Sequence, residues 1–277
     1  MIESTIAFIG GGNMERSLIG GLLADGCPAE RIRVADPDLA QVQALQRQCG
    51  IETSLDNKQV LAGAHAVLLA VKPQVMKPVL TEIASAVQAE RPLIISIAAG
   101  IRERDISAWV SASDLPIVRA MPNTPALVQS GATGLYANSA VDDAQRALAE
   151  SILRAVGLTV WVDREELIDT VTSLSGSGPA YFFLLMEAME DAAHDLGLPR
   201  EAARLLTLQT AFGAAKLALE SEEGVANLRK RVTSPGGTTE RAIQTFESGG
   251  LRTLVGDAVR AAKVRSAELA DTFGGTA

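Results

Sequence analysis

Cysteine is scarce in this chain of 277 residues: Cys27 and Cys49 are the only two. A pair is too few for a disulfide framework, which excludes the small, stapled, secreted class of fold. Histidine is equally rare, and His65 and His194 stand far apart without ligand spacing. No zinc site is predicted, and each histidine reads as a packing or surface residue. Aromatic residues make up only 4% of the chain while alanine abounds, a balance that favours closely packed helices. No apolar run is long enough to span a bilayer, and Met1-Ile2-Glu3-Ser4 enters a strand pattern without a positively charged leader. A soluble cytoplasmic protein with no membrane partner is the expectation. Positive charge is also short, with 25 Lys and Arg against 33 Asp and Glu and a net charge of −8. The one dense basic cluster, Arg229-Lys230-Arg231, reads as a solvated helix end, so no nucleic-acid partner is expected.

What is present is apolar surface: 47% of residues are hydrophobic, enough for one large domain or two ordinary ones. Thr5-Ile9, Arg31-Ala35, Ala66-Ala70, Leu93-Ala98 and Ile117-Arg119 read as buried strands bounded by Gly, Pro or polar residues. Helix-length segments lie between them, at Asn13-Ala24, Leu39-Gln48 and Pro78-Ala89. This alternation predicts a parallel sheet covered by helices on both faces. Gly134-Tyr136 and Thr159-Val162, bracketing a helix over Asp142-Val156, complete it.

After about Asp163 the strand pattern stops. Pro179-Leu196, Arg200-Leu219 and Leu251-Ala270 read as long helices rich in alanine and leucine, with Gly197 closing one and Pro199 opening the next. Helices that are apolar around much of their circumference need cover on more than one side. So few cannot supply it alone, and a helical homodimer is predicted. The fold class is α/β: a parallel-sheet, dinucleotide-binding domain over residues 1–162, then an all-helical dimerisation and substrate-binding domain over 163–277.

Two segments carry the chemistry. Ile6-Ala7-Phe8-Ile9 runs into Gly10-Gly11-Gly12-Asn13-Met14, a strand, a tight turn and a helix start. Gly10 can make the turn, Gly12 lets the backbone approach a pyrophosphate, and the helix N-terminus offers free N–H groups. Glu15 breaks the pattern, because a small residue there normally allows close packing of helix on strand. Its side chain must either turn away from the pyrophosphate or weaken cofactor binding. Asp36 ends the second strand, where it can accept hydrogen bonds from an adenosine ribose and repel a 2′-phosphate, or form an Asx turn before Pro37. The second segment is Thr233-Ser234-Pro235-Gly236-Gly237-Thr238-Thr239, four hydroxyls around a proline and two glycines between helical runs. It can receive a small carboxylate or serve as a plain helix start.

With these residues assembled, the chain resembles the pyrroline-5-carboxylate reductases over essentially its whole length. The resemblance rests on Phe8-Met14, Ala70-Val71-Lys72-Pro73-Gln74, Ser96-Ile101, Arg119-Ala120-Met121-Pro122-Asn123-Thr124-Pro125, Leu174-Ser175-Gly176-Ser177-Gly178-Pro179-Ala180-Tyr181 and Thr233-Thr239. It implies a Rossmann-like N-terminal domain, an all-α C-terminal domain interlocked with a second subunit, and assembly of such dimers into a larger homo-oligomer. It implies reduction of 1-pyrroline-5-carboxylate to L-proline, the last step of proline biosynthesis, with NADPH or NADH as donor. Ser234, Gly237 and Thr238 would then hold the substrate carboxylate. Thr239 would be the catalytic residue, its hydroxyl near the ring nitrogen, and Glu165 a substrate-side residue or simply an acid in a helix's first turn. Gly10, Gly12, Asn13, Met14, Asp36, Asn57, Val71, Lys72 and Ala99 would contact the cofactor, though Lys72 also reads as a solvated strand-end lysine. The family usually has alanine where this chain has Glu15, and it commonly prefers NADPH, against the reading of Asp36.

A cyclic imine becomes a ready hydride acceptor once its nitrogen is protonated, so the protein mainly positions two rings and holds one carboxylate. That accounts for the lack of a His or Cys constellation. A β-hydroxyacid dehydrogenase would need a lysine on its interdomain helix. Ala180-Asp195 has none, and Lys216 comes too late. A non-catalytic dinucleotide-binding module would leave the Thr233-Thr239 turn without a ligand.

Overall fold

The computed structural model describes residues 2–274. Eight strands form one sheet: β1 (Ile6–Ile9), β2 (Ile32–Ala35), β3 (Glu52–Ser54), β4 (Ala66–Leu69), β5 (Leu93–Ser96), β6 (Ile117–Met121), β7 (Gly131–Ala137) and β8 (Gly157–Trp161), in the spatial order β3-β2-β1-β4-β5-β6-β7-β8. The first six are parallel, because each pair is bridged by a crossover on a sheet face. The centre of the sheet is buried on both sides, which is why β1, β4 and β5 read as unbroken apolar runs. Their alternate residues divide between two cores. Ile6 and Phe8 pack with Leu18, Ile19 and Leu22 of α1 (Asn13–Ala24), Leu45 of α2 (Leu39–Cys49) and Ile152 and Leu153 of α6 (Asp143–Arg154). Ala7 and Ile9 pack on the other face with Val60 of α3 (Asn57–Leu61), Leu80 and Ile83 of α4 (Pro73–Glu90), and Ile106 and Val110 of α5 (Glu103–Val110). Each of the Val, Leu, Ile and Phe side chains among these contributes about 1.5–3 kcal/mol of transfer free energy.

Four features depart from the sequence expectations. β7 pairs antiparallel with β6, because the connection from Met121 to Gly131 holds only a short 3-10 turn, too little chain for a crossover. β3 lies at the sheet edge and carries no apolar side chain, so it left no periodic signal. α4 begins at Pro73 rather than Pro78, which it tolerates inside, since a proline there forfeits one bond. α5 is too short to stand out by periodicity, and the Asp105 carboxylate fixes its start by accepting the Arg102 N–H at 3.1 Å.

The chain forms two compact units, one running to Ser177 and resuming at Ala261, the other Gly178–Arg260. In the first unit α7 (Leu167–Val171) continues into a π-helical turn, Thr172–Gly176. The second unit is helical throughout: α8 (Gly178–Asp195), α9 (Arg200–Glu220), α10 (Val225–Arg231), α11 (Thr238–Ser248) and the first part of α12 (Leu251–Gly274). α8 and α9 are neighbours across the short Leu196–Pro199 link, where Gly197 takes φ +101°. Within one chain these helices bury little. Phe182, Phe183, Leu184, Leu205 and Phe212 each remain more than half exposed. Among the described residues no helix is long and apolar enough to cross a membrane.

Candidate active site

The strand order reverses direction between β1 and β4, and a parallel sheet opens a crevice at such a point, at the carboxyl ends of its strands. All the cofactor candidates lie on that edge. Asn57 follows β3, Asp36 ends β2, Gly10–Met14 follow β1, Val71 and Lys72 follow β4, and Ala99 follows β5. Main-chain bonds lock the strand ends side by side: Gly10 N–H donates to the Ala35 carbonyl at 2.8 Å, and Ala70 N–H to the Ile9 carbonyl at 3.0 Å. Lys72 is exposed at the N-cap of α4, while Val71, Asn57 and Ala99 are half-buried.

Gly10 takes φ +112°, and a Cβ there would stand 3.0 Å from the Ala70 carbonyl oxygen. The turn therefore requires glycine whatever it binds. Gly12 is the N-cap of α1 and has no side chain to satisfy the first-turn N–H groups. Gly12 and Asn13 are exposed, so the outer side of this helix start is open to an anion. These residues fit a dinucleotide diphosphate, with one exception.

The exception is Glu15. It neither turns out to solvent nor lies beside the turn, but folds back beneath it, 2% exposed. Its Oε1 lies 2.5 Å from where a Gly10 Cβ would sit and its Oε2 3.2 Å from that of Gly12. Oε1 has no hydrogen-bond partner. Burial pushes the Glu15 pKa up to about 7, the backbone N–H groups of Glu15 and Gly12 oppose this by favouring the charged form, and the nearby Asp36 charge adds to the rise.

Asp36 already works for the protein. Its Oδ2 accepts the Gly11 N–H at 2.7 Å and its Oδ1 the Asp38 N–H at 2.8 Å, so it forms the Asx turn and also anchors the glycine turn to β2. Arg16 reaches the Gly11 carbonyl at 3.4 Å and Gln41 of α2, which ties the same turn down from the other side.

A second cluster in this unit was not anticipated. Arg119 on β6, 4% exposed, meets Glu165 Oε1 at 3.0 Å, and that oxygen also accepts the Glu103 N–H at 2.7 Å. Glu165 thus caps α5, with both bonds on one oxygen. Burial raises the Glu103 pKa, and the adjacent Glu165 charge raises it further. An arginine inside an otherwise apolar strand was the signal available in the sequence. Asn123 joins two of the singled-out blocks: its Oδ1 accepts the Ala132 N–H at 2.9 Å and its Nδ2 donates to the Ser175 carbonyl at 3.1 Å. The histidines have local partners, His65 Nδ1 accepting the Thr5 N–H and His194 lying 3.0 Å from the Leu198 carbonyl.

In the helical unit, the Thr233–Thr239 turn links α10 to α11. Gly236 takes φ +72°, and its N–H donates to Glu240 at 2.8 Å. The Gly237 N–H is spent on the Ser234 carbonyl at 3.0 Å, and the Thr233 hydroxyl on the Arg229 carbonyl at 2.7 Å. Gly237 therefore acts as N-cap rather than donor. It brings no capping side chain, which leaves the N–H groups of Thr238 and Thr239 without an intrahelical partner. Ser234 and Thr238 are exposed, and Thr239 is half-buried.

Comparison with known proteins agrees with both halves. Residues 165–269 match the family described as pyrroline-5-carboxylate reductase dimerisation, and residues 5–100 match the family described as NADP oxidoreductase, coenzyme F420-dependent. Pyrroline-5-carboxylate reductase of Pseudomonas aeruginosa is 54% identical over 274 residues, covering 99% of this chain and 100% of the relative. The chain belongs to the pyrroline-5-carboxylate reductase family. The solved pyrroline-5-carboxylate reductase of Coxiella burnetii superposes with TM-score 0.94 at 49% identity, over 98% of this chain and 100% of the other. The pyrroline carboxylate reductase of Plasmodium falciparum, solved with NADP bound, superposes with TM-score 0.84 at 28% identity, over 98% of this chain and 100% of the other. As a pyrroline-5-carboxylate reductase family member, the chain is a nicotinamide-dependent oxidoreductase acting on a carbon–nitrogen double bond.

Proposed function

We propose that this chain reduces 1-pyrroline-5-carboxylate to L-proline, with the nucleotide on the sheet edge and the substrate carboxylate on the Ser234–Thr239 turn. NADPH or NADH supplies the hydride when bound. The carrying observation is that α1, after the strand-end glycine turn, and α11, after the Ser-Pro-Gly-Gly turn, each start on a glycine N-cap with no capping side chain. α10 shares this feature at Gly224, but without a hydroxyl-rich or strand-end turn before it. Open first-turn N–H groups attract anions, and this reaction has two to hold, a diphosphate and a carboxylate. Gly10, Gly12, Asn13 and Met14 form the diphosphate cradle, and Asp36 anchors it. Asn57, Val71, Lys72 and Ala99 contact the nucleotide from the neighbouring strand ends.

At the substrate turn Ser234 and the N–H groups of Thr238 and Thr239 hold the carboxylate, with Gly237 keeping the helix start bare. The Thr239 hydroxyl hydrogen-bonds the ring nitrogen and supplies or relays its proton. Glu165 stays a substrate-side candidate, since its bonds to Arg119 and the Glu103 N–H both fall on Oε1. Residues 1–162 serve the nucleotide, and 163–277 serve the substrate and the subunit contact. The exposed apolar side chains of α8 and α9 support a homodimer that assembles further, and we place it in the cytoplasm. The absence of lysine from Gly178–Asp195 leaves a lysine-based alcohol oxidation without its base.

Thr239→Ala tests the assignment. Turnover of racemic pyrroline carboxylate, followed by nicotinamide absorbance, should fall at least several-fold while NADPH binding stays nearly unchanged. Unchanged turnover removes Thr239 from the site. Rates with NADH and NADPH side by side give the preferred donor.

A further inference from the structure

A buried carboxyl group occupies the place where the cofactor's diphosphate needs positive potential. We propose that Glu15 couples nucleotide binding to the uptake of one proton, so that the dinucleotide binds only the form of the protein in which Glu15 is a neutral acid. The proposal rests on the reading of Gly10–Met14 as the diphosphate cradle.

The geometry carries it. Glu15 is almost wholly buried, and its two oxygens lie against the would-be Cβ positions of Gly10 and Gly12, on the inner side of the turn whose outer side is open. Oε1 has no hydrogen-bond partner. An unpartnered charged oxygen in that position is costly, and a dianionic diphosphate brought to the same helix start makes it costlier. Neutralising the acid removes both penalties.

The surroundings offer no compensating cation. Asp36, at the end of β2, is the charged group acting on Glu15 through space, and its sign is the same. Strands β1 and β4 carry no titratable side chain, and neither does the Thr124–Val128 turn packed on α1. Arg16, next along α1, is directed to the Gly11 carbonyl and Gln41. On α2, Arg47 bonds the Gln43 carbonyl, and burial raises the Cys49 thiol's pKa. On α6, Glu150 and Arg154 pair with each other and Arg146 lies over Trp161, leaving Asp143 at the helix start. Lys72 is exposed beyond β4. The Glu15 pKa of about 7 places the transition near neutral pH.

The test is the affinity of the whole protein for NADH between pH 6 and 9, by calorimetry, for the wild type and for Glu15→Gln and Glu15→Ala. NADH is the probe because a 2′-phosphate would itself titrate near pH 6. Wild-type Kd should rise about tenfold per pH unit between pH 8 and 9, whereas both variants stay flat. Repeating the wild-type titration at pH 8 in two buffers of different ionisation enthalpy should show nearly one proton taken up, a readout that needs no mutant. A flat wild-type profile with no proton uptake overturns the coupling, as does a Glu15→Gln profile as steep as the wild type. If none of the three proteins binds NADH or NADPH at any pH, the cradle reading fails and the inference falls with it.

Discussion

At the scale of single residues, Glu15 stands apart because its local setting opposes its own charge. A carboxyl whose folded pKa is raised from 4.5 to about 7 favours the folded state fully below pH 4.5, and that contribution is lost as pH rises through 7. Glu15→Gln removes the titration, so the variant should gain on the wild type across this window. By pH 8 the gain is a little over 3 kcal/mol, roughly 2.5 pKa units at 1.36 kcal/mol each. Urea unfolding at pH 5 and pH 8, at one fixed protein concentration, reads it. Equal midpoints for the two proteins at both pH values would contradict the burial argument. Glutamate in place of a small residue was visible in the sequence as a break in the glycine pattern. Which way the side chain turned was not, because that depends on whether the space under Gly10 is filled.

Among the elements, the junction of β6, α5 and the segment before α7 hangs on one buried arginine. Arg119 compensates Glu165 directly, and Glu103 lies close to both. Arg119→Leu leaves two acids facing each other in a water-poor place, and we expect a loss of about 3–5 kcal/mol in unfolding free energy. A loss under 1 kcal/mol would show that the pair is solvated. Most strands and long helices were legible as elements, since burial on both faces of a parallel sheet imposes continuous apolar runs. β3 was illegible because an edge strand of Glu-Thr-Ser contributes nothing to the core. The hand of β7 was illegible too, for an apolar run encodes burial but not direction. Asn123 marks the same limit: Arg119–Pro125 and Leu174–Tyr181 were recognisable as blocks, but their meeting through Asn123 and Ser175 was not.

At the scale of the whole molecule, among the described residues, α8 and α9 carry large apolar side chains that stay exposed, Phe182, Phe183, Leu184, Leu205 and Phe212. The proposed homodimer would bury them against a second copy and make stability depend on protein concentration. The wild type should sediment as a dimer or larger, with a Tm that rises with concentration. Phe183→Glu should shift the mass toward monomer and remove that dependence. A wild-type monomer with a constant Tm would refute the homodimer. Composition and periodicity alone determined the class of fold and the sheet core, because those follow from how much apolar surface must leave water and at what spacing. The two glycine turns were also evident from residue types, since backbone freedom belongs to glycine wherever it stands. The state of each charge was decided only in three dimensions: Glu15 forced beneath the first turn, Asp36 spent on Gly11 and Asp38, Glu165 bound to Arg119. A charge answers to the neighbours and dielectric around it, and these are set by contacts between residues far apart in the chain.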